Sequence, residues 1–146
     1  MTKKEIIQLP AGEELNILIA ENLFGWKPIT DEAELNRINK HALHPAPGKW
    51  WITPSGDKRN YAQNYSTDFN EAFKVIDALQ EAEYWMRIIS GRDGHWVKSS
   101  TVEVGKLPDL QGNPSRQLAS LSGLPMPEMI CKMALVAVLG LSIERS

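Results

Sequence analysis

The sequence predicts an α+β layered domain in which helices pack against a small antiparallel sheet. Three observations lead to this prediction. Two segments, near residues 10–25 and 66–81, carry apolar residues at helical spacing. Between residues 83 and 104, two stretches with strand character flank a Gly-Arg-Asp-Gly turn. A final apolar segment suits a central helix, and helices joined to a hairpin in this order favour packed layers.

The first predicted element is a helix that begins near Pro10 and Gly12. Glu13 and Glu14 lie in its first turn, where carboxylates interact favourably with the positive end of the helix dipole. Gly25 is placed to end the helix. One apolar stripe recurs at helical spacing between these signals and comprises Leu15, Leu18, Ile19 and Leu23.

The pattern weakens over residues 27–64. Residues 31–43 favour a short helix with Leu35 and Ile38 on one side. The stretch that follows holds three prolines, two glycines and a Pro-Ser-Gly-Asp turn signal. It predicts an ordered loop or a short hairpin, with KWWIT and RNYAQ as edge strands.

The second helix has the clearest signals. Ser66, Thr67 and Asp68 are all suitable N-caps, and Asp68 with Glu71 has the spacing of a capping box. Five apolar residues are predicted to line one face of this helix: Phe69, Ala72, Phe73, Ile76 and Leu79. EYWMRIIS, the Gly91–Gly94 turn and HWVKSSTVEV then predict an antiparallel hairpin.

The C-terminal third predicts a loop followed by a buried helix. Residues 105–125 are rich in Pro, Gly, Ser and Asn, which is typical of a long surface loop. Pro125 and Pro127 suit a helix start. The helix after them is apolar nearly all round, so we expect it at the centre of the core. Residues 1–146 are predicted to form one domain, with residues 27–64 and 105–125 as variable loops.

Composition narrows the class of protein. With 42% hydrophobic and 23% charged residues, the chain has the composition of a globular protein. Its net charge of −2 does not favour duplex DNA as a partner. Cys131 is the single cysteine, so no intramolecular disulfide forms, which suits a reducing cytosol. The longest apolar stretch, Met129–Leu139, contains Lys132 and is shorter than the ~20 residues needed to span a bilayer. The expectation is a soluble intracellular protein without a membrane partner.

Four blocks of the chain together resemble a known family. They are LPAGEELNILIAENLFGW, NYSTDFNEAFKVID, YWMRI and PEMICKMALVAVL. In order and spacing they are similar to the phage ABA sandwich domain family. The resemblance implies an α/β/α layered sandwich and a phage protein in the host cytoplasm. It implies no reaction and transfers no site residue, and residues 27–63 match no part of it.

Motifs for catalysis or metal binding are few. His41 and His44 are three apart, which leaves a metal pair and solvated loop histidines as alternatives. Pro45 pushes His44 towards extended geometry. The chain contains no CxxC, HExxH, GxxxxGK[ST] or GxSxG motif. We therefore predict no catalytic residue, no metal and no cofactor.

Aromatic residues interleaved with basic and amide residues are the main functional signal. Bases stack on Trp and Tyr, while Lys and Arg neutralise phosphates. Because adjacent side chains on a strand face opposite ways, one of Trp50 and Trp51 is predicted at a rim, pocket or subunit interface. Trp26 and Trp85 are predicted in the core. The predicted ligand-binding residues are Trp50, Trp51, Lys58, Arg59, Tyr61, Arg92, Trp96 and Lys98.

These residues and the phage resemblance together predict a non-catalytic binding protein. In this hypothesis it sequesters a small anionic nucleotide made as a host immune signal, such as a cyclic nucleotide, and so acts as an anti-defence sponge. Pockets shared between subunits of a homo-oligomer would enclose such a ligand. Two alternatives stay open: a phage accessory protein that binds and inhibits a host protein, and a small nucleotide-processing enzyme.

Overall fold

The computed structural model describes residues 1–41, 49–92, 98–108 and 116–140. Within these ranges the chain forms five helices and two antiparallel three-stranded sheets. The helices are α1 (Lys3–Gln8), α2 (Glu13–Leu23), α3 (Glu32–His41), α4 (Phe69–Glu81) and α5 (Met126–Val138). The strands are β1 (Lys27–Pro28), β2 (Trp51–Ile52), β3 (Lys58–Arg59), β4 (Tyr84–Arg92), β5 (Lys98–Lys106) and β6 (Arg116–Ser122).

The larger sheet has the strand order β4-β5-β6. Strands β4 and β5 pair without a break, whereas the pairing of β5 with β6 shifts register between Val104 and Gly105. The ring of Trp85 lies over its cross-strand partner Gly105, where a Cβ atom would stand 2.1 Å from a ring carbon. A residue without a side chain is therefore required at this position.

The helices α4 and α5 pack on one face of this sheet, and α2 contacts both of them. Val102, Val104 and Ala119 are fully buried in the core on the sheet side. On the opposite face Arg87 donates to Glu103 at 2.6 Å, and Ile89 is 42% exposed. The mixed α+β class is confirmed, whereas the α/β/α order of layers stays a prediction.

Helix α5 is buried over the whole stretch from Pro127 to Ala137. Its one basic residue, Lys132, is 2% exposed, and its ammonium group donates to the carboxylate of Glu128 at 2.7 Å. The same ammonium group donates to the carbonyl oxygen of Ile7 in α1, also at 2.7 Å. A charge inside the core is tolerable here because it is both paired and hydrogen-bonded. Among the described helices, none has the length and apolar character needed to cross a membrane.

A second buried polar contact joins α2 to the segment that precedes α4. The side-chain oxygen of Asn16 accepts from the backbone N–H of Ser66 at 2.9 Å and from its hydroxyl group at 2.6 Å. The Ser66 hydroxyl oxygen accepts in turn from the backbone N–H of Gly12 at 2.9 Å. Because Asn16 and Ser66 are 4% and 1% exposed, these bonds hold the start of α2 against the chain 50 residues later.

Most predicted elements are present. Helix α2 ends before Gly25, whose φ of +73° suits glycine, and the Asp68 carboxylate caps α4 by accepting from the N–H groups of Asn70 and Glu71. The hairpin of β4 and β5 is also confirmed, although residues 93–97 of its turn lie outside the described residues. Helix α3 ends at His41, so the predicted extension to residue 43 lies outside them as well.

Three structural predictions are wrong. Trp85, predicted in the core, lies on the sheet face opposite the helices and outside the core cluster. Strand β6 occupies part of residues 105–125, where a loop was expected; the register shift in its pairing breaks the simple alternation that marks a strand. Phe69 and Phe73 do not join the buried face of α4, and they are 54% and 52% exposed. Val75 takes their place beside Ala72 and Leu79. Helix α1 was not predicted, because six residues hold too little periodicity to identify it.

We expect Lys132→Met to lower the free energy of unfolding by about 3–5 kcal/mol, because it leaves the Glu128 carboxylate buried without its cation. The Ile7 carbonyl group loses its donor in the same variant. Urea denaturation, monitored by circular dichroism, measures the change in the free energy of unfolding. The double variant Glu128→Gln, Lys132→Met is the control, and it should lose less than Lys132→Met alone. A single variant as stable as the wild type would contradict the structural role of the pair.

Candidate functional site

The middle segment forms a sheet of its own rather than a loop. Strand β2 pairs with β1 on one side and with β3 on the other, in the order β1-β2-β3. The turn between β2 and β3 is closed by the N–H of Thr53, which donates to the carbonyl oxygen of Asp57 at 2.8 Å. The Thr53 hydroxyl oxygen accepts from the N–H of Asp57 at 3.1 Å, and Gly56 has a φ of +92°. The Pro-Ser-Gly-Asp signal is therefore a true hairpin turn.

One face of this small sheet brings together Trp51 and Arg59. These residues are directly opposite each other in the antiparallel register, so their side chains leave the sheet on the same side. Trp51 is 5% exposed, and its indole N–H is buried without an acceptor in the described part of the chain. The Arg59 side chain is 44% exposed, and the carboxylate of Asp57 lies 3.8 Å from its guanidinium nitrogen. That distance is too long for a hydrogen bond.

Trp50 and Lys58 interact instead with α3. The indole N–H of Trp50 donates to the side-chain oxygen of Asn39 at 2.9 Å. The ammonium group of Lys58 donates to the carboxylate of Glu34, which also accepts from Arg37 at 2.6 Å. The two adjacent tryptophans therefore have different environments, as predicted, with Trp51 buried and Trp50 only partly so.

The pKa of Glu34 reflects this arrangement. Hydrogen bonds from Arg37 and Lys58 lower the pKa of the Glu34 carboxyl to about 2, and the charges of the two cations act in the same direction. Glu34 thus stays ionised at neutral pH and is shared by Arg37 and Lys58, so the Lys58 ammonium group already has a carboxylate partner while the three groups together keep one net positive charge. Sequence reasoning missed Glu34 and Arg37, although their spacing of three residues on a helix was a usable signal.

Tyr61 completes the described part of the predicted ligand cluster. It follows β3 by two residues, and its side chain is 58% exposed. An exposed phenol ring close in the chain to an exposed guanidinium group offers a stacking surface beside a cation. Arg59 and Tyr61 are therefore the exposed members of the predicted cluster, whereas the Trp51 ring beside Arg59 is buried.

The second predicted half of the site lies on the β4–β5 hairpin, mostly outside the described part of the chain. Arg92 and Lys98 are register partners at the end of the β4–β5 pairing, but their side chains are outside the described part of the chain. Trp96 lies outside the described residues altogether, as do His44 and His95. The contribution of the β4–β5 hairpin to a site therefore stays a prediction.

A separate groove of about 450 Å³ lies between the end of α2 and the last turns of α4. Its lining residues are Leu23, Phe24, Lys74, Asp77, Ala78 and Glu81, none of which belongs to the predicted cluster. The ammonium group of Lys74 is held by Glu71 at 3.1 Å, and the ring of Phe24 stacks on Tyr65 with 5.0 Å between centroids. The groove and the Trp51–Arg59 face of the small sheet are therefore lined by different residues.

Two kinds of reactive group can be described, the cysteine thiol and clusters of metal-binding side chains. Cys131 is fully buried, and burial, with a further contribution from Glu128, raises the pKa of its thiol above the usual value. A thiol in that state is a poor nucleophile. Within residues 1–41, 49–92, 98–108 and 116–140, no group of three or more His, Cys, Asp or Glu side chains could hold a metal ion.

Comparisons with known proteins do not assign this chain to a family. No protein-family model, no curated protein and no solved structure matches this chain. The resemblance of the four sequence blocks to the phage ABA sandwich family therefore stays a prediction.

We expect the carboxyl of Glu34 to titrate near pH 2 in the folded protein, as followed by the side-chain carbon shift in NMR spectra. Because its pKa is lowered from 4.5, any stabilisation from its ion pairs is present above pH 4.5 and is lost as the pH falls towards 2. Lys58→Met removes one of the two donors and should raise this pKa. Lys74→Met, which removes a cation paired to Glu71, is the control and should leave it unchanged.

Proposed function

We propose that this chain is a non-catalytic binding protein that sequesters a small anionic nucleotide. The observation that carries the proposal is the buried indole N–H of Trp51, which has no acceptor among the described residues and shares a sheet face with the guanidinium group of Arg59. Both groups donate hydrogen bonds and neither accepts them. An oxygen-rich anion is the ligand class that matches two such donors.

The energetics of Trp51 support this choice. Leaving a buried donor without a partner costs about 1–3 kcal/mol, so an unpaired N–H in a folded protein calls for an explanation. A phosphate or ribose oxygen would remove that cost once the groups that cover the indole nitrogen move aside on binding. The guanidinium group of Arg59 forms the stronger, charge-assisted contact with a phosphate group, because its planar fork matches two oxygens at once.

The remaining predicted residues take different roles within this proposal. Tyr61 supplies the exposed ring on which a base would stack. Lys58 is held by Glu34, so it supports the strand and contributes less to an incoming phosphate than Arg59 does. Arg92, Trp96 and Lys98 would belong to the ligand site only if the β4–β5 hairpin reaches the small sheet.

The biological setting belongs to the same proposal. We infer a phage protein of the host cytoplasm that acts as a cyclic-nucleotide sponge and so assists evasion of host immunity. Its cluster of aromatic and basic residues and its resemblance to the phage ABA sandwich family support this setting. A ligand that is held and not consumed needs no catalytic group, which fits the inert environment of Cys131.

Isothermal titration calorimetry against a panel of cyclic mononucleotides and dinucleotides tests the proposal. Wild-type protein should bind at least one member. Arg59→Ala should weaken that binding roughly 10–100-fold, the equivalent of one charge-assisted hydrogen bond of about 1.5–3 kcal/mol. Trp51→Phe keeps an aromatic ring but removes the N–H, and it should weaken binding by a smaller factor.

Lys74→Ala is the matched control, because it removes an exposed cation outside the small sheet and should leave binding unchanged. A panel that gives no heat and no thermal shift with wild-type protein would reject the proposal. Chromatography after heat denaturation separates a sponge from an enzyme. A sponge releases the nucleotide intact, whereas an enzyme returns a changed compound.

A further inference from the structure

Strand β4 is an open edge of the larger sheet. It is nine residues long, and among the described strands it pairs with β5 alone. The other edge of this sheet is β6, which is seven residues long and carries the register shift. A bulge of this kind interrupts the row of backbone groups that an additional strand would need. Of the two edges, β4 is therefore the one suited to strand addition.

The backbone groups of β4 alternate between the two sides of the strand. The carbonyl oxygen of Glu83 accepts from the N–H of Leu107 at 3.0 Å, and the one-to-one register continues from there through β4. Because hydrogen-bonded pairs alternate along an antiparallel ladder, the odd-numbered residues of β4 bond to β5. The even-numbered residues direct N–H and C=O groups to the open side, where no described residue bonds to them. We call these outward residues, which include Tyr84, Met86 and Ile88.

The outward residues place their side chains on the sheet face that carries the helices. Met86 is opposite the buried Val104, and Ile88 is opposite the buried Val102. Ile88 is nevertheless 37% exposed, so the helices leave part of its side chain uncovered. An apolar contact is thus available on the same side of β4 as the unpaired backbone groups.

Helix α4 borders this open edge with two aromatic rings. It contacts β4, whereas α5 contacts β5 and β6. Phe69 and Phe73 are 54% and 52% exposed, and they lie ~140–180° around α4 from Ala78, which faces the end of α2. The rings therefore project on the side away from α2, beside the edge of β4. Because β4 runs back along α4, the rings and Ile88 lie at similar distances from the turn, ~17 and ~18 Å.

We propose that the β4 edge binds an extended segment of another protein, which adds to the sheet as a fourth strand antiparallel to β4. Each outward residue offers one donor and one acceptor, and an extended backbone presents the matching repeat. Alternate side chains of the segment face Phe69, Phe73 and Ile88, so they are apolar. The exposed carboxylate of Asp77 lies ~40° beyond Phe73 around α4, so a basic residue at the end of the segment complements this rim.

The position of α4 argues against a second copy of this chain as the added strand. Two β4 strands paired edge to edge would lie ~5 Å apart, with both helix layers on the same sheet face. Because α4 stands over β4, the two α4 helices would approach more closely than the ~8–10 Å that packed helices require. A single extended segment brings no helix with it and avoids this overlap.

The complex should be weak and transient. A short added strand buries less than the ~1,200 Å² of total surface that a stable protein–protein interface requires. Its affinity comes from main-chain hydrogen bonds, and its selectivity comes from the alternate apolar side chains. This inference concerns a protein partner and stands whether or not the chain binds a nucleotide.

Isothermal titration calorimetry with the peptide acetyl-KVTVTVK-amide tests the strand addition. The wild type should bind it with Kd on the order of 100 μM. The same peptide N-methylated at its three valines should bind at least ~10-fold more weakly, because in the antiparallel register these residues bond to β4. N-methylation at its two threonines is the matched control and should leave the affinity unchanged. Equal affinity of all three peptides, or no heat at ~1 mM peptide, would overturn the proposal.

A proline at position 88 tests the edge from the side of the protein. Ile88→Pro removes an outward N–H that β5 does not use, so binding of the peptide should weaken by at least ~10-fold while circular dichroism stays unchanged. Ser120→Pro is the matched control on the other edge. Ser120 is opposite Glu103, which bonds to β4, so its N–H also points away from β5 and its loss should not affect binding.

Amide hydrogen exchange of the wild type gives a readout that needs no variant. Saturating peptide should slow exchange of the Met86 and Ile88 N–H groups, whereas that of Arg87, which already bonds to β5, should change little. Unchanged exchange at Met86 and Ile88 would contradict strand addition even if Ile88→Pro fails to fold. A folded Ile88→Pro variant with wild-type affinity would contradict it as well.

Discussion

Helix α5 can be stable in water only if every side of it is covered, and this constraint determines the arrangement of the other elements. It is buried from Pro127 to Ala137, whereas an amphipathic helix would bury one stripe. Helices α1, α2 and α4 and strands β5 and β6 all contact it. Because these elements come from both ends of the chain, the core closes only when residues near the start meet residues near the end.

Two buried polar contacts limit how this packing can be achieved. A buried ammonium or amide group must keep its hydrogen-bond partners, because leaving it unsatisfied costs free energy. Lys132 thus sets the position of α1 against α5 through the Ile7 carbonyl oxygen. Asn16 sets the start of α2 against Ser66, next to the cap of α4. An arrangement of the helices that separated either set of partners would leave a buried polar group unsatisfied.

The sequence predicted the elements with strong local signals and missed those that depend on distant neighbours. Asp68 and Gly25 mark helix ends by their own chemistry, so α2 and α4 could be placed from the sequence. The exposure of Phe73 could not be predicted from the sequence, because it depends on where α5 and β4 contact α4. In the candidate site, the Trp51–Arg59 pair follows from a hairpin register that spacing alone does not determine. The capture of Lys58 by Glu34 depends on a contact between residues 24 positions apart.

The burial of Cys131 has a practical consequence. Its thiol is shielded on every side by the core around α5, and its raised pKa keeps it protonated at neutral pH. A thiol reagent can therefore modify it only when α5 separates from the layers around it. The rate of that modification measures how often the core opens. Since this is the chain's single cysteine, the measurement needs no engineered label.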